Sequence, residues 1–220
     1  GRMTQLTHAG GLVETFAYDG LGQQIRRYNS HYGSGVAETT LYDRQGRIQT
    51  HIAMGGDTTG YAYTWLGSQA TNGAGTFGAW QTVTTMANLR SSTVREDQFG
   101  RTVYKSDLGG NVSSFTFNAG GQQVTQAITS ATHGNQSLSY TYFNTGKLAT
   151  HVKGTLTNRY AYDQAGNLIG ESLQSGAAVL SNQTSTYDAL GRMLTWNEAG
   201  SGTLPAGSIT WTYDANGNIR

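Results

Sequence analysis

The residues able to do chemistry in this 220-residue chain are few and mostly isolated. Five histidines occur (His8, His31, His51, His133 and His151), none spaced i, i+2 or i, i+4, and no H-E-x-x-H sets two imidazoles on one zinc ion. His51 and His151 each stand five residues after a glycine, Gly46 and Gly146, which reads as one position of a repeat rather than a metal site. With no cysteine there is no thiol nucleophile, disulfide or Cys-ligated zinc, and no G-x-S-x-G marks a serine nucleophile. Gly73 to Gly78 spells G-x-G-x-x-G, but a dinucleotide site needs that motif between a buried strand and a helix, and Trp65 to Asn72 does not read as a buried strand. The motif therefore reads as a loop. Of the 13 carboxylates, Asp19, Asp43, Asp163, Asp188 and Asp214 stand in a recurring motif. Pairs of them across repeats could in principle do acid–base work. Each is better explained as a turn former, because an Asp side chain accepts from backbone N–H groups two residues on. The expectation is a non-enzymatic segment with no cofactor and no metal.

The elements that carry these Asp residues repeat. Tyr18-Asp19 with Gly22, Tyr42-Asp43 with Gly46, Tyr162-Asp163 with Gly166, Tyr187-Asp188 with Gly191 and Tyr213-Asp214 with Gly217 share one pattern. Arg, Asn or Gln follows the Gly, then an aliphatic residue or Met within two positions. Degenerate copies run from Asp97 to Gly100, Asp107 to Gly110, Asn118 to Gly121, Tyr142 to Gly146 and, weakest, Tyr63 to Gly67. An aromatic lies two residues before the motif ring in Phe16/Tyr18, Tyr61/Tyr63, Phe115/Phe117, Tyr140/Tyr142, Tyr160/Tyr162 and Trp211/Tyr213. That spacing puts both rings on one face of a strand. Each repeat reads as a β-hairpin: Asp opens a type I turn, and Gly at φ > 0 forms the bulge that restores strand twist. A single hairpin is marginal, so hairpins in series must pair edge to edge and bury a continuous aromatic-aliphatic face.

Composition agrees. Charged residues are 12% and net charge is +1, a poor footprint for nucleic acid. Gly numbers 31 against one Pro, and 13 Tyr with 4 Trp supply strand formers. Apolar spacing sustains no helix, and no apolar run reaches the roughly 18 residues of a membrane span. Between Gly67 and Arg95 the motif lapses. Ser68 to Gly75 reads as a loop, Gln81 to Met86 as a weak strand, and 68–95 as an irregular insertion in a single array spanning 1–220. The motif is cut at Gly1-Arg2-Met3 and at Gly217-Asn218-Ile219, which predicts a fragment of a longer array whose open sheet edges pair with other copies.

The run Tyr-Asp-x-x-Gly-Arg/Asn-aliphatic resembles the YD repeat of the Rhs family, best at Tyr160 to Leu168, Thr186 to Arg192 and Leu41 to Arg47. That family includes bacterial polymorphic toxins, the B and C components of insecticidal Tc toxins, and teneurins. The resemblance implies hairpins spiralling into a curved sheet, the wall of a hollow β-shell. In bacterial members the shell encloses a C-terminal toxic domain of a secreted or cell-surface protein. The partners implied are the rest of the shell and that domain. The family's Asp-Pro-x-Gly cleavage signature has no counterpart here, because Pro205 is the sole proline and no Asp precedes it. The competing reading is an aromatic-rich repeat module that binds carbohydrate or cell wall. Modules of that kind open each repeat with Gly-Trp, a dipeptide this chain lacks.

Overall fold

The structure, a computed structural model, describes residues 1–72, 75–201 and 205–220. The described residues form strands and turns and no helix. The chain divides into two compact units, Gly1–Ser113 and Ser114–Arg220. The first contains β1 (Gln5–Thr7), β2 (Val13–Tyr18), β3 (Gln24–Asn29), β4 (Glu38–Tyr42), β5 (Ile48–Ile52), β6 (Thr58–Asn72), β7 (Gly75–Thr85), β8 (Ser91–Asp97) and β9 (Thr102–Ser106). After β10 (Val112–Phe117), the second contains β11 (Gln123–Thr129), β12 (Gln136–Tyr142), β13 (Leu148–Lys153) and β14 (Leu156–Tyr162). It continues with β15 (Leu168–Ser175), β16 (Ala178–Tyr187), β17 (Met193–Glu198) and β18 (Gly207–Thr210). Within each unit every strand pairs antiparallel with its neighbour in sequence, so the all-β hairpin series read from the motif is the observed architecture.

The register follows from the turn. In each motif hairpin the ladder shifts just before the ring, as between Ala17 and Tyr18, Leu41 and Tyr42, Ala161 and Tyr162, and Thr186 and Tyr187. The ring then pairs with the residue two past the glycine: Tyr42 with Ile48, Tyr162 with Leu168, Tyr187 with Met193. In all six aromatic doublets both rings are half-buried, and the residue between them is exposed except at Thr116. The strand alternation therefore holds. The expected depth of burial does not. Ala79 and Val103 are the buried apolar residues among those described, and no large side chain falls below 2% exposure. Among the described residues no helix lies on these strands to shut the rings from water.

Within 68–95 the expected strand at Gln81–Met86 falls in β7, which ends at Thr85, while the expected loop at Ser68 to Gly75 does not form as such. Ser68–Asn72 belongs to β6 and Gly75–Gly78 to β7, so strands replace the expected loop, and β7 and β8 pair from Ala79–Asp97 to Thr85–Ser91. Gly73 and Ala74 of the G-x-G-x-x-G motif lie outside the described residues, and its remaining four residues are strand rather than a helix start. The weak copy at Tyr63 to Gly67 does not turn. β6 continues past Tyr63 to Asn72, and its ladder with β7 is irregular between Leu66 and Ala70.

The same stretch hides a turn that carries neither Asp nor Gly. Met86 N–H donates to the Arg90 carbonyl at 2.9 Å and Leu89 N–H to the Met86 carbonyl at 2.9 Å. Asp97 N–H and Gly100 N–H make the same two bonds, to Arg101 and Asp97. Leu89 thus occupies the glycine position, at φ 63° and 84% exposed. A left-handed non-Gly residue costs roughly 1–2 kcal/mol. Leu89→Gly is therefore expected to raise stability by about 0.5–1 kcal/mol, after the entropy glycine adds to the unfolded chain. Gly100 sits at φ 74° with open space where a Cβ would stand, so backbone conformation alone opposes a side chain there. Gly100→Ala is expected to lower stability by about 1 kcal/mol. Urea midpoints moving in the same direction for both variants would contradict this turn assignment.

Candidate functional site

The strict motif turns follow even-numbered strands and so fall at one end of the hairpin series in each unit, whereas the Asp107 to Gly110 copy joins β9 to β10 at the other end. In the strict motif the Asp does more than open a turn. Its Oδ1 accepts from the backbone N–H groups two and four residues on: Leu21 and Gln23 at Asp19, Gln45 and Arg47 at Asp43, Leu190 and Arg192 at Asp188, Asn216 and Asn218 at Asp214, all at 2.8–3.0 Å. At Asp163 the Asn167 N–H bond is 2.8 Å. Its Oδ2 takes the side chain of the residue after the glycine, Arg47 Nε at 2.8 Å, Asn167 Nδ2 at 2.9 Å, Arg192 Nε at 2.7 Å and Asn218 Nδ2 at 3.1 Å. This gives a role to the Arg-or-Asn preference, which the sequence displayed without one: these side chains donate to Oδ2, whereas at Asp19 the Gln23 amide turns to the Gly46 carbonyl instead.

Asn118 shows the rule inverted. Its Oδ1 still accepts the Gln122 N–H at 2.9 Å, but its Nδ2 now donates to Gln122 Oε1 at 2.9 Å. Asn replaces Asp where the partner supplies an acceptor. Phe143 abolishes the carboxylate altogether. Lys147 then donates to the Gly166 carbonyl of the following repeat, with its ammonium 4.8 Å from the Tyr162 ring centre. Gln23 and Gln122 reach forward in the same way, to the Gly46 and Gly146 carbonyls at 2.9 and 2.8 Å.

The tyrosine supplies the second connection. Tyr42 donates its phenolic O–H to the Gln24 carbonyl at 3.0 Å, Tyr63 to Ile48 at 2.9 Å, Tyr142 to Gln123 at 2.7 Å, Tyr187 to Leu168 at 3.0 Å and Tyr213 to Met193 at 2.7 Å. Tyr18 does the same to Met3 at 2.8 Å. Every acceptor lies two residues past the glycine of the preceding repeat. At Gln24, Ile48, Leu168 and Met193 it is also the residue that the preceding motif ring pairs with. Arginines of the preceding turn cover the same rings: Arg47 lies 4.2 Å from the Tyr63 centre and Arg192 4.5 Å from Tyr213. Tyr162, the motif tyrosine that follows Phe143, is the ring under Lys147, and the Phe143 ring meets it edge-on at 6.0 Å.

These contacts set the ionisation. At Asp107, Asp163 and Asp214 the Asn side-chain bond, with backbone N–H bonds, holds the carboxyl below the usual range. At Asp188 the Arg192 N–H is the leading cause. At Asp43 and Asp97 desolvation pulls upward but is outweighed by bonds from Arg47 and Arg101. Burial pushes the Tyr63, Tyr142 and Tyr160 phenols up. The carboxylates are thus held ionised, with their lone pairs committed to donors. His51 and His151 take matching places, opposite Thr40 and Tyr140. His51 Nδ1 lies 3.3 Å from Thr40 Oγ1, and His151 stacks on Tyr140 at 5.0 Å.

Asp97 is the most buried carboxylate described, 3% exposed, with Arg101 at 2.6 Å. A depressed carboxyl pKa contributes stability above the unfolded value, near 3.9, that is lost as pH falls through the folded value. Denaturant midpoints are therefore expected to hold level from pH 7 to about 5 and to fall below about pH 4. Asp97→Asn leaves Arg101 facing an amide N–H. It is expected to cost about 2 kcal/mol at pH 7 and to make the acid limb shallower. An unchanged acid limb would contradict the assignment.

No protein-family model matches the sequence, and no curated protein does. Solved structures do. A crystal structure of TcdB2-TccC3-TEV matches over 98% of this chain at TM-score 0.59 and 16% identity, and one of TcdB2-TccC3-Cdc42 over 98% at 0.59 and 17%. A Tc holotoxin pore structure from Photorhabdus luminescens matches over 98% at 0.54 and 14%. This chain spans 12%, 12% and 15% of the length of those chains. At such identity the likeness is one of fold, and the fold of this chain is the all-β hairpin series found in these Tc toxin structures, in keeping with its YD-like repeats.

Proposed function

We propose that this chain is a wall segment of an Rhs/YD-repeat β-shell, part of a larger secreted or cell-surface bacterial protein in which the shell encloses a toxic domain. The observation that carries the reading is the bond from Tyr18, Tyr42, Tyr63, Tyr142, Tyr187 and Tyr213 to the carbonyl two residues past the previous repeat's glycine. A wall must hold its hairpins in fixed succession, and this bond does so at a constant repeat position. The match to Tc toxin structures over 98% of the chain supports the same reading. The fifteen motif residues Tyr18, Asp19, Gly22, Tyr42, Asp43, Gly46, Tyr162, Asp163, Gly166, Tyr187, Asp188, Gly191, Tyr213, Asp214 and Gly217 then serve as structural joints, with no catalytic, cofactor or metal role. The partners are the remainder of the shell and the enclosed domain, with no nucleic acid and no membrane insertion by this segment.

Electron cryomicroscopy of the parent protein tests this. A hollow β-wall containing these hairpins around separate density is expected, with the enclosed domain resistant to protease until the wall is opened. An open array with a freely digested downstream domain would overturn the reading. The isolated 220-residue chain is expected to self-associate through sheet edges. A sedimentation coefficient independent of concentration would contradict that.

A further inference from the structure

The β6–β7 hairpin departs from its neighbours in both length and chemistry. From Thr58 to Leu89 the chain carries no Asp, Glu, Lys, Arg or His. The stretch is instead rich in Thr, Ser, Gln and Asn beside aromatic rings. Where the hairpin passes the line of turns, Trp65 and Trp80 stand opposite one another across the ladder. Their rings meet edge to face, 5.4 Å between centres at 64°, and each residue is 47% exposed. The pair is built in place. Trp65 lies against Gly78, where a Cβ would come within 2.2 Å of the indole, so glycine is what lets the ring rest on the opposing strand. On the other side the Arg47 guanidinium is 5.3 Å from the Trp80 centre and 4.2 Å from Tyr63. Asp43 holds that guanidinium at 2.7 Å and neutralises it.

We infer that Trp65 and Trp80 form a stacking site for a neutral saccharide. Half-exposed indoles offer a flat apolar surface to the C–H face of a pyranose. Thr82, two residues on from Trp80 and opposite Tyr63, adds an uncharged hydroxyl on the same face of the ladder. On the neighbouring strand the exposed Glu96 stands opposite Trp80, where its carboxylate can accept from sugar hydroxyls and would repel an anionic ligand. The rings are fixed before any ligand arrives, which keeps the ordering cost of binding low. This site goes beyond the wall reading and stands or falls independently of it.

The test is titration of the 220-residue chain with cellohexaose, laminarihexaose, maltoheptaose and chitohexaose. Tryptophan emission is followed, together with saturation transfer from aromatic protons to pyranose ring protons. At least one sugar is expected to give a saturable emission change with transfer to its ring protons. Trp65→Ala or Trp80→Ala should weaken it about tenfold or more at an unchanged melting temperature, and Trp80→Tyr should retain most of it. Should the alanine variants unfold, the transfer experiment on the unaltered chain and the Trp80→Tyr titration decide. The proposal is overturned if no neutral sugar gives a saturable change, if heparin or polygalacturonate binds in preference, or if folded alanine variants bind as before. It is also overturned if the emission change follows protein concentration rather than sugar, which would mean that a second copy covers the rings.

Discussion

One constraint organises the motif turns: the amide groups of a tight turn must be satisfied without a ladder. A single carboxylate oxygen does this, accepting two backbone N–H groups at each complete turn while its twin holds the next side chain. An unmade bond at such a group costs about 1–3 kcal/mol where water is excluded. The turn therefore fixes where each strand begins, and the register of the hairpin follows. Tyrosine then carries that fixed point into the next repeat.

This arrangement compensates for a poor core. Leu, Ile, Val and Phe are scarce in the sequence, and no large side chain is fully buried among the described residues. Hydrophobic burial by half-covered rings contributes, but ring burial alone does not distinguish one register from another. The directional bonds do, because a slip of one residue moves each phenol to the opposite face. The weak charge of the chain fits as well: most of its motif carboxylates are already engaged by local donors.

Much of this was legible in the sequence. The Asp and Gly of each turn, the doublet rings and the antiparallel succession follow from residue type and spacing. What was not legible depended on partners far along the chain. Arg47, Asn167 and Arg192 are visible after their glycines, but only the folded turn brings them to Oδ2. The phenol bonds span up to 20 residues and end on backbone carbonyls, which leave no mark in sequence. Met86 to Arg90 was hidden because Leu89 stands in the glycine position and the side-chain acceptor, Asn88 to the Arg90 N–H at 3.1 Å, comes from inside the turn rather than from an opening Asp. Ser68–Asn72 is strand where a loop was expected, for a related reason. Strand pairing tolerates small and polar residues on a hairpin long enough to support itself through its neighbours, β5 and β8.

The central claim is that repeats are joined by the tyrosine hydroxyl rather than by ring burial alone. Tyr187→Phe removes only the oxygen that donates to Leu168, and Tyr32→Phe, at a residue 59% exposed, serves as the control. Hydrogen exchange followed by mass spectrometry, alongside urea denaturation, gives the direct measurement. The account predicts faster exchange in β15 and in the turn at Asp188–Arg192, with a loss of about 1 kcal/mol for Tyr187→Phe and none for the control. Equal exchange and equal midpoints in the two variants would contradict it.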